Sequence, residues 1–256
     1  MPRLARGGVT IHYEVHGNSS DRTPLLLNHG YSASCTMWKP NLAAIGAERQ
    51  VIAWDMRGHG YSDSPKDPSR YSDQACVDDM AGVLDACGVK RAAIGGLSLG
   101  GYLSLAFHVV HPDRVAALLL FDTGPGFKQE ASREHWNRQA AKYAEGFELR
   151  GMRALAGGPE VGRGPHTPAG LALAARGILA QRDAQVIESL PQIAVPTLVL
   201  VGENDEPFLV ATDYMASKIP GATKIVMRNA GHAPNIDQPQ AFNEAVIEFL
   251  RQIDQP

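Results

Sequence analysis

The segment Gly96-Leu97-Ser98-Leu99-Gly100 constrains the fold of this chain more than any other stretch of its sequence. A short apolar run precedes the segment and a helix-compatible apolar run follows it, so the chain passes here from a strand to a helix. The glycines leave room for the sharp turn that this passage requires. Such a turn lifts the Ser98 hydroxyl above the end of a sheet, which predicts a nucleophilic serine. An ordinary glycine-rich turn is the alternative, because a pentapeptide motif also matches by chance.

The composition argues against several classes of protein. Of 256 residues, 44% are hydrophobic and 20% are charged, as expected for a soluble globular chain. The net charge of −3 and the lack of any basic run argue against nucleic-acid binding. No apolar run has the length of a transmembrane helix, and the N-terminus lacks the apolar segment of a signal peptide. Cys35, Cys76 and Cys87 show no Cys-x-x-Cys spacing, which predicts free thiols, a cytoplasmic location and no structural metal.

Apolar runs of strand length alternate with helical patterns along most of the chain. We predict a hairpin of strands at 4–6 and 9–15, and further strands at 24–28, 50–54, 92–95, 115–121, 196–201 and 223–227. We predict helices at 36–47, 72–87, after Ser98 to 110, and at 209–218 and 239–253. This alternation predicts an α/β fold in which a parallel sheet carries helices on both faces.

Residues 124–193, called the helical insertion below, break this alternation. They contain no strand-like run, and helical patterns at 131–143, 147–156 and 169–181 are separated by glycine- and proline-rich breaks. Because so short a segment is a poor candidate for a core of its own, we predict a lid on a core domain of 1–123 and 194–256. The insertion's large apolar side chains line an apolar pocket or simply hold the insertion on the core; they are Phe127, Trp136, Tyr143, Phe147, Met152 and Leu155.

Polar residues follow several predicted strands, at the sheet edge where open α/β sheets bind ligands. Ser98 needs a base there, because a neutral hydroxyl is a weak nucleophile. Of the nine histidines, only His232 follows the last strand, and we predict that it is the base. His59, in the loop after strand 50–54, is the main alternative. His12 and His16, on or beside strand 9–15, are expected at the surface.

A histidine base requires a carboxylate that orients its ring. Asp205, which follows strand 196–201, is the predicted acid. Asp122, one strand earlier, is the second candidate. Glu203 lies two residues before Asp205 and is expected to cap a loop or form a salt bridge.

Acyl transfer also requires hydrogen-bond donors for the oxyanion. The amide of Leu99, at the start of the helix after Ser98, is one predicted donor. The amide of Tyr31, in the loop after strand 24–28, is the other. The ring of Tyr31 and the adjacent Gly30 are expected to form part of the substrate pocket, together with Phe127 and Trp136.

Five motifs in order resemble those of the α/β-hydrolase fold superfamily. They are His29-Gly30, Asp55-x-Arg57-Gly58-x-Gly60-x-Ser62, Gly96-x-Ser98-x-Gly100, Gly202-x-x-Asp205 and Gly231-His232. The resemblance implies an eight-stranded, mostly parallel sheet with an antiparallel second strand and a cap after strand 6. It also implies the order nucleophile, acid and histidine for Ser98, Asp205 and His232.

Within that superfamily, the chain is most similar to small bacterial esterases, enol-lactonases and carbon–carbon bond hydrolases of aromatic degradation. Ser98 distinguishes it from haloalkane dehalogenases and epoxide hydrolases, which have aspartate at the nucleophile position. We expect a serine hydrolase of a small carboxylic ester that uses no metal or cofactor, with enol-lactone or carbon–carbon bond cleavage as alternatives. A non-catalytic ligand receptor of the same fold is a further alternative, which the three competent residues Ser98, Asp205 and His232 disfavour.

Overall fold

Eight β-strands form one sheet in the computed structural model, which describes residues 2–18, 21–155, 157–162 and 164–255. The strands are β1 (Arg3–Arg6), β2 (Val9–His16), β3 (Leu25–Asn28), β4 (Val51–Trp54), β5 (Ala92–Leu97), β6 (Val115–Phe121), β7 (Thr197–Gly202) and β8 (Thr223–Met227). Their order in the sheet is β1-β2-β4-β3-β5-β6-β7-β8. Strand β2 is antiparallel to both of its neighbours, β1 and β4, and every other pairing is parallel, so the predicted sheet is confirmed.

Helices cover both faces of this sheet. They are α1 (Lys39–Gly46), α2 (Asp73–Ala86), α3 (Leu99–Val110), α4 (Glu130–Arg150), α5 (Pro168–Ala174), α6 (Gln185–Ser189), α7 (Glu206–Lys218), α8 (Pro234–Asp237) and α9 (Pro239–Ile253). One apolar cluster joins the sheet to α1 and α9, and the other joins it to α2, α3 and α7. None of the described helices has both the length and the apolar character needed to cross a bilayer.

The position of β3 in the sheet explains why three of its four residues are leucines. Successive side chains of a strand point to opposite faces, and both faces of this sheet are covered. Leu25 and Leu27 belong to the cluster on the α1 side, whereas Leu26 belongs to the cluster on the α2 side. All four residues of β3 are buried, as its position at the centre of the sheet requires.

The helical insertion is not divided into the three helical pieces that its sequence predicts. The first break does not occur, since α4 runs without interruption through 21 residues to Arg150. Ala144 and Phe147 are buried against Leu171 of α5, and this packing keeps the helix continuous past Gly146. A 3-10 turn (Gly151–Ala154) follows, while residue 156, the predicted end of the second piece, lies outside the described residues. The third piece is α5 with a π-helical turn (Ala175–Leu179) after it.

The loop after β4 joins the loop after β3 to helix α2. The Asp55 carboxylate accepts hydrogen bonds from the backbone N–H groups of Cys35 (2.7 Å) and Tyr61 (2.9 Å). Arg57 donates two hydrogen bonds of 2.8 Å to Asp79 on α2. Asp79 is fully buried, so this ion pair belongs to the interior of the protein.

We expect Asp79→Ala to destabilise the fold, because Arg57 would remain buried without its counter-charge. Loss of one partner of a buried pair costs about 3–5 kcal/mol. The matched control is Asp85→Ala on the same helix, whose side chain is 66% exposed and pairs with Arg114. Exposed pairs contribute only about 0–1 kcal/mol. Urea unfolding followed by circular dichroism measures both changes, and equal losses would contradict the expectation.

Candidate active site

Ser98 occupies the turn between β5 and α3 in a strained backbone conformation. Its φ of 55° and ψ of −118° lie in a region that residues with a side chain rarely adopt. The Ser98 N–H donates to the carbonyl of Phe121 on β6 (2.9 Å). The Ser98 carbonyl accepts from the hydroxyl of Thr123 (2.6 Å) and the N–H of Gly101 (3.0 Å). These three hydrogen-bonding partners hold the turn in place and keep the Ser98 side chain at the sheet edge.

The glycines around Ser98 allow α3 to lie directly against the sheet. A Cβ atom added to Gly100 would collide with the backbone oxygens of Asn28 and His29 at the end of β3. A Cβ atom at Gly96 would collide with the backbone of Gly100. Both glycines are therefore required by close backbone approach.

We expect Gly100→Ala to destabilise the protein, because the clash is with backbone that has no room to move. Overpacking of this kind typically costs about 1–3 kcal/mol. Gly146→Ala within α4 is the matched control, since the nearest atom there is the flexible end of Arg150. Alanine is about 1 kcal/mol more favourable than glycine inside a helix, so the control is expected to gain stability. Urea midpoints that fall equally in both variants would count against this explanation of Gly100.

Asp205 and His232 form a short hydrogen bond at the ends of neighbouring strands. Asp205 directly precedes α7, His232 lies in the loop after β8, and His232 Nδ1 is 2.7 Å from Asp205 Oδ2. The carboxylate is buried and the ring is half-buried. With its Nδ1–H donated to Asp205, the neutral ring has Nε2 free to accept a proton. Within the described residues, the Ser98 hydroxyl has no hydrogen bond to His232.

Backbone hydrogen bonds hold the loops of Asp205 and His232 together. The Glu203 N–H donates to the Met227 carbonyl, and the Asn204 N–H donates to the Ala230 carbonyl, both at 2.9 Å. The Glu203 carboxylate accepts from the Asn229 N–H (3.1 Å), which is a loop-capping contact.

Asp122, the second candidate acid, has a different environment. It is fully buried, and its Oδ1 accepts a hydrogen bond from the Gly202 N–H (2.8 Å). Burial, reinforced by the negative charge of Asp205, raises the pKa of Asp122 to about 9. Asp205 thus bears the hydrogen bond to His232, whereas burial favours the protonated form of Asp122.

A cavity of about 280 Å³ opens beside Ser98. Its wall is mainly apolar and comes from the Ser98 turn, the segment after β6, the helical insertion and α7. The side chains in this wall include Ser98, Tyr102, Phe127, Trp136, Leu179, Gln181 and Phe208. The ring of Phe208 also lies 5.0 Å from the ring of His232, so it connects the cavity to the Asp205–His232 pair. Sequence reasoning missed Phe208, although its position three residues after Asp205 placed it near the acid.

The other predicted pocket residues divide into two groups. Leu99, Phe127 and Trp136 line the cavity, and a Cβ atom at Gly30 would lie 3.7 Å from Ser98 Cβ. The described cavity lining does not include Tyr31.

The ring of Tyr31 lies instead beneath the helical insertion. Its centroid is 6.2 Å from that of Tyr143 and 6.4 Å from that of Phe147. The Tyr31 hydroxyl donates to the carbonyl of Leu171 (2.8 Å) on α5. The side chain of Tyr31 therefore connects the loop after β3 to the insertion.

His59, the alternative base, is packed among other rings. It is 1% exposed, and its ring lies 5.1 Å from that of His29, 5.6 Å from that of Tyr31 and 6.1 Å from that of His166. Burial lowers the pKa of His59, and the neighbouring histidines lower it further. These contacts describe a neutral histidine of the interior.

The predicted surface position of His12 is wrong. His12 is 1% exposed, because Tyr61 from the loop after β4 packs against its ring at 5.2 Å. Its Nε2 lies 3.4 Å from a carboxylate oxygen of Glu14, and the thiol of Cys35 completes a group with metal-ligating chemistry. Burial raises the pKa of the Cys35 thiol, so its sulfur is protonated.

Comparison with known proteins identifies the class of this chain. The sequence model of the alpha/beta hydrolase family matches residues 25–245, and the chain belongs to that family. It is similar to a thermophilic esterase from Thermogutta terrifontis, with 29% identity, full coverage of both chains and a TM-score of 0.85. It is also similar to the enol-lactonase from Burkholderia xenovorans LB400, with 27% identity, a TM-score of 0.81 and coverage of 98% and 100%. A protein of Azorhizobium caulinodans provisionally named carbamate hydrolase RutD is 29% identical, with full coverage of both sequences.

Proposed function

We propose that this protein is a serine hydrolase that cleaves a small carboxylic ester through an acyl-enzyme. Ser98 is the nucleophile, His232 the general base and Asp205 the carboxylate that orients the histidine. The observation that carries the proposal is the 2.7 Å hydrogen bond between Asp205 and His232, at the same sheet edge as the strained Ser98 turn. The similar esterase and enol-lactonase add support, since both names describe hydrolysis at an acyl carbon.

The proposed reaction has two halves. The Ser98 oxygen attacks the ester carbonyl carbon while its proton passes to His232 Nε2, and collapse of the tetrahedral intermediate expels the alcohol with that proton. Water then attacks the acyl-enzyme, gives its proton to His232, and releases the carboxylic acid as Ser98 recovers its proton. Asp205 stabilises the imidazolium in both halves and stays ionised.

Two backbone amides are proposed to bind the oxyanion. The Leu99 N–H is the first amide of α3, where the partial positive charge of the helix terminus favours an anion. The Tyr31 N–H comes from the loop after β3, and Gly30 beside it lies against Ser98. Amides aimed in advance at the developing negative charge lower the barrier to attack.

The cavity supports a substrate with an apolar acyl or aromatic part. Phe127 and Trp136 of the helical insertion form one side of it, and Phe208 of α7 contributes another. Trp136 Nε1 donates to the Leu179 carbonyl (2.8 Å), which keeps the indole nitrogen satisfied while its ring faces the cavity. We therefore propose residues 124–193 as a lid that completes the substrate site.

Enol-lactone hydrolysis is the second candidate. Lactones are cyclic esters, so the same three residues would act on them by the same steps. Beyond the structural similarity to the Burkholderia enzyme, a 3-oxoadipate enol-lactonase of Acinetobacter baylyi is 25% identical over 270 residues. Assay of p-nitrophenyl esters against enol-lactones of matched size separates the two candidates.

We further propose that the protein is cytoplasmic and that its partner is a small molecule. Cys35, Cys76 and Cys87 are all unpaired, and Cys35 and Cys76 are buried. Free thiols are the norm in reducing compartments. The cavity beside Ser98 has the volume of a small-molecule site.

Ser98 is expected to be the one residue that a fluorophosphonate labels. Labelling needs a hydroxyl activated by a base and donors that hold the phosphoryl oxygen, and the proposal puts both at the Ser98 turn. Intact-protein mass spectrometry is expected to show a single adduct, and peptide mapping to place it on Ser98. Ser98→Ala is expected to show no adduct and no ester turnover. An adduct on another residue would overturn the nucleophile assignment, whereas ligand binding without turnover by the parent would support a receptor.

Asp205→Asn is expected to lower kcat by at least about two orders of magnitude, because an amide favours the wrong imidazole tautomer. Glu203→Gln is the matched control from the same loop, and a structural role predicts a loss below about tenfold. Turnover of one p-nitrophenyl ester gives the comparison, with circular dichroism to show that each variant is folded. An unaffected Asp205→Asn variant would show that another carboxylate orients the histidine.

A further inference from the structure

One carboxyl group at the edge of the site has no part in the mechanism above. Asp122 follows β6 with a φ of 43°, which is rare for a residue other than glycine, and it is fully buried. Its Oδ1 accepts the Gly202 N–H, but its Oδ2 faces no hydrogen-bond donor among the described residues. A buried polar oxygen without a partner needs an explanation, because such atoms are hydrogen-bonded in nearly all proteins.

We propose that Asp122 is a positioning residue that keeps a proton on Oδ2 and donates it in a hydrogen bond to the carboxylate of Asp205. A carboxylate oxygen from each aspartate and a ring nitrogen of His232 lie within 4.8 Å of one another. A protonated Oδ2 is a donor, and Asp205 is the acceptor that this oxygen otherwise lacks. The inference rests on the proposed function, since it takes Asp205 to orient a catalytic His232.

The proton belongs on Asp122 rather than on Asp205. Two carboxyl groups at this distance do not both ionise readily. The charge of Asp205 is stabilised by His232 Nδ1–H at 2.7 Å, whereas Asp122 receives only the Gly202 amide. Burial, then the charges of Asp205 and Asp237, raise the pKa of Asp122, against the opposing Gly202 hydrogen bond. The titratable groups that face Asp122 are thus Asp205, His232 and Asp237.

The neutral Asp122 acts on the reaction through Asp205. A hydrogen bond donated to an anion stabilises the charged form and restricts rotation of the carboxylate. Asp205 then keeps its Oδ2 on His232 throughout the reaction. Loss of the Asp122 proton at alkaline pH would replace this donor by a second negative charge beside Asp205.

Infrared spectroscopy of the full-length protein tests the proton directly, without any substrate. The wild type at pH 8 is expected to show the carbonyl stretch of a protonated carboxyl group. Asp122→Asn is expected to remove that band, and the control Asp85→Asn, at an exposed carboxylate on α2, is expected to keep it. A wild-type spectrum without the band would overturn the proposal.

Stability provides a second readout that is independent of activity. Asp122 has an ordinary pKa of 3.8 in the unfolded chain and about 9 in the folded protein, so folding takes up a proton between these pH values. The stability of the wild type therefore falls as pH rises through this window, and Asp122→Asn removes that dependence. The urea midpoint of the variant, measured relative to that of the wild type, is expected to rise from pH 5 to pH 8. A constant difference would contradict a buried proton.

Kinetics test the effect on Asp205. Asparagine keeps a donor for Asp205 and an acceptor for Gly202, so Asp122→Asn is expected to lose less than about tenfold in kcat. Asp122→Leu removes both groups and is expected to lose at least about tenfold in kcat with KM unchanged, the effect of one lost hydrogen bond to a charge. The wild-type rate is expected to decline above about pH 9, and Asp122→Asn to abolish that decline.

The possible outcomes separate this inference from the proposed function. If Asp122→Asn lost as much activity as Asp205→Asn, this would show that Asp122 acts as an anion, and the inference would be overturned. If Asp122→Leu does not fold, the asparagine variant and the infrared band decide. If the wild type hydrolyses no ester, the proposed function fails, while the infrared band and the pH-dependent urea midpoints still report whether Asp122 holds a proton.

Discussion

Hydrogen-bond register between the parallel strands β5 to β8 determines where every group of the proposed site lies. Gly96 pairs with Leu120, and Phe121 pairs with Leu200, so β5, β6 and β7 end at nearly the same level. Gly202 pairs with Met227, which brings the end of β8 to that level too. Residues far apart in sequence therefore meet at one sheet edge. A shift of one residue in any of these pairings would turn a neighbouring side chain to the opposite face and separate Ser98 from the other groups.

The site combines backbone strain with hydrogen bonds to neighbouring strands. Ser98 and Asp122 both have positive φ angles, and both are held by backbone contacts to neighbouring strands. Such conformations persist only where contacts with the surroundings stabilise the protein by more than the strain destabilises it. The apolar clusters on both faces of the sheet supply them here. The packing of the core thus maintains a local geometry that would not form in an isolated peptide.

Much of the fold could be predicted because central strands such as β3 are mainly apolar and the alternation of strands and helices is regular. The same topology predicted which polar residues follow strand ends, and Asp205 and His232 are indeed hydrogen-bonded. What could not be predicted depends on contacts between distant segments. The burial of His12 requires Tyr61 from a loop about fifty residues away, and the continuity of α4 requires packing against α5. The protonation of Asp122 depends on its distance from Asp205, which no spacing in the sequence encodes.

The contact between Tyr31 and Leu171 has a mechanical consequence. Tyr31 is one residue with two attachments, since its backbone lies in the loop beside Ser98 and its hydroxyl is bound to the backbone of α5. Displacement of α5 from the core must either break that 2.8 Å hydrogen bond and uncover the ring, or carry the loop with it. The geometry of the loop amides and the position of the helical insertion are therefore coupled for as long as that hydrogen bond is intact. While the bond is intact, a molecule that displaces α5 would shift those amides without touching them.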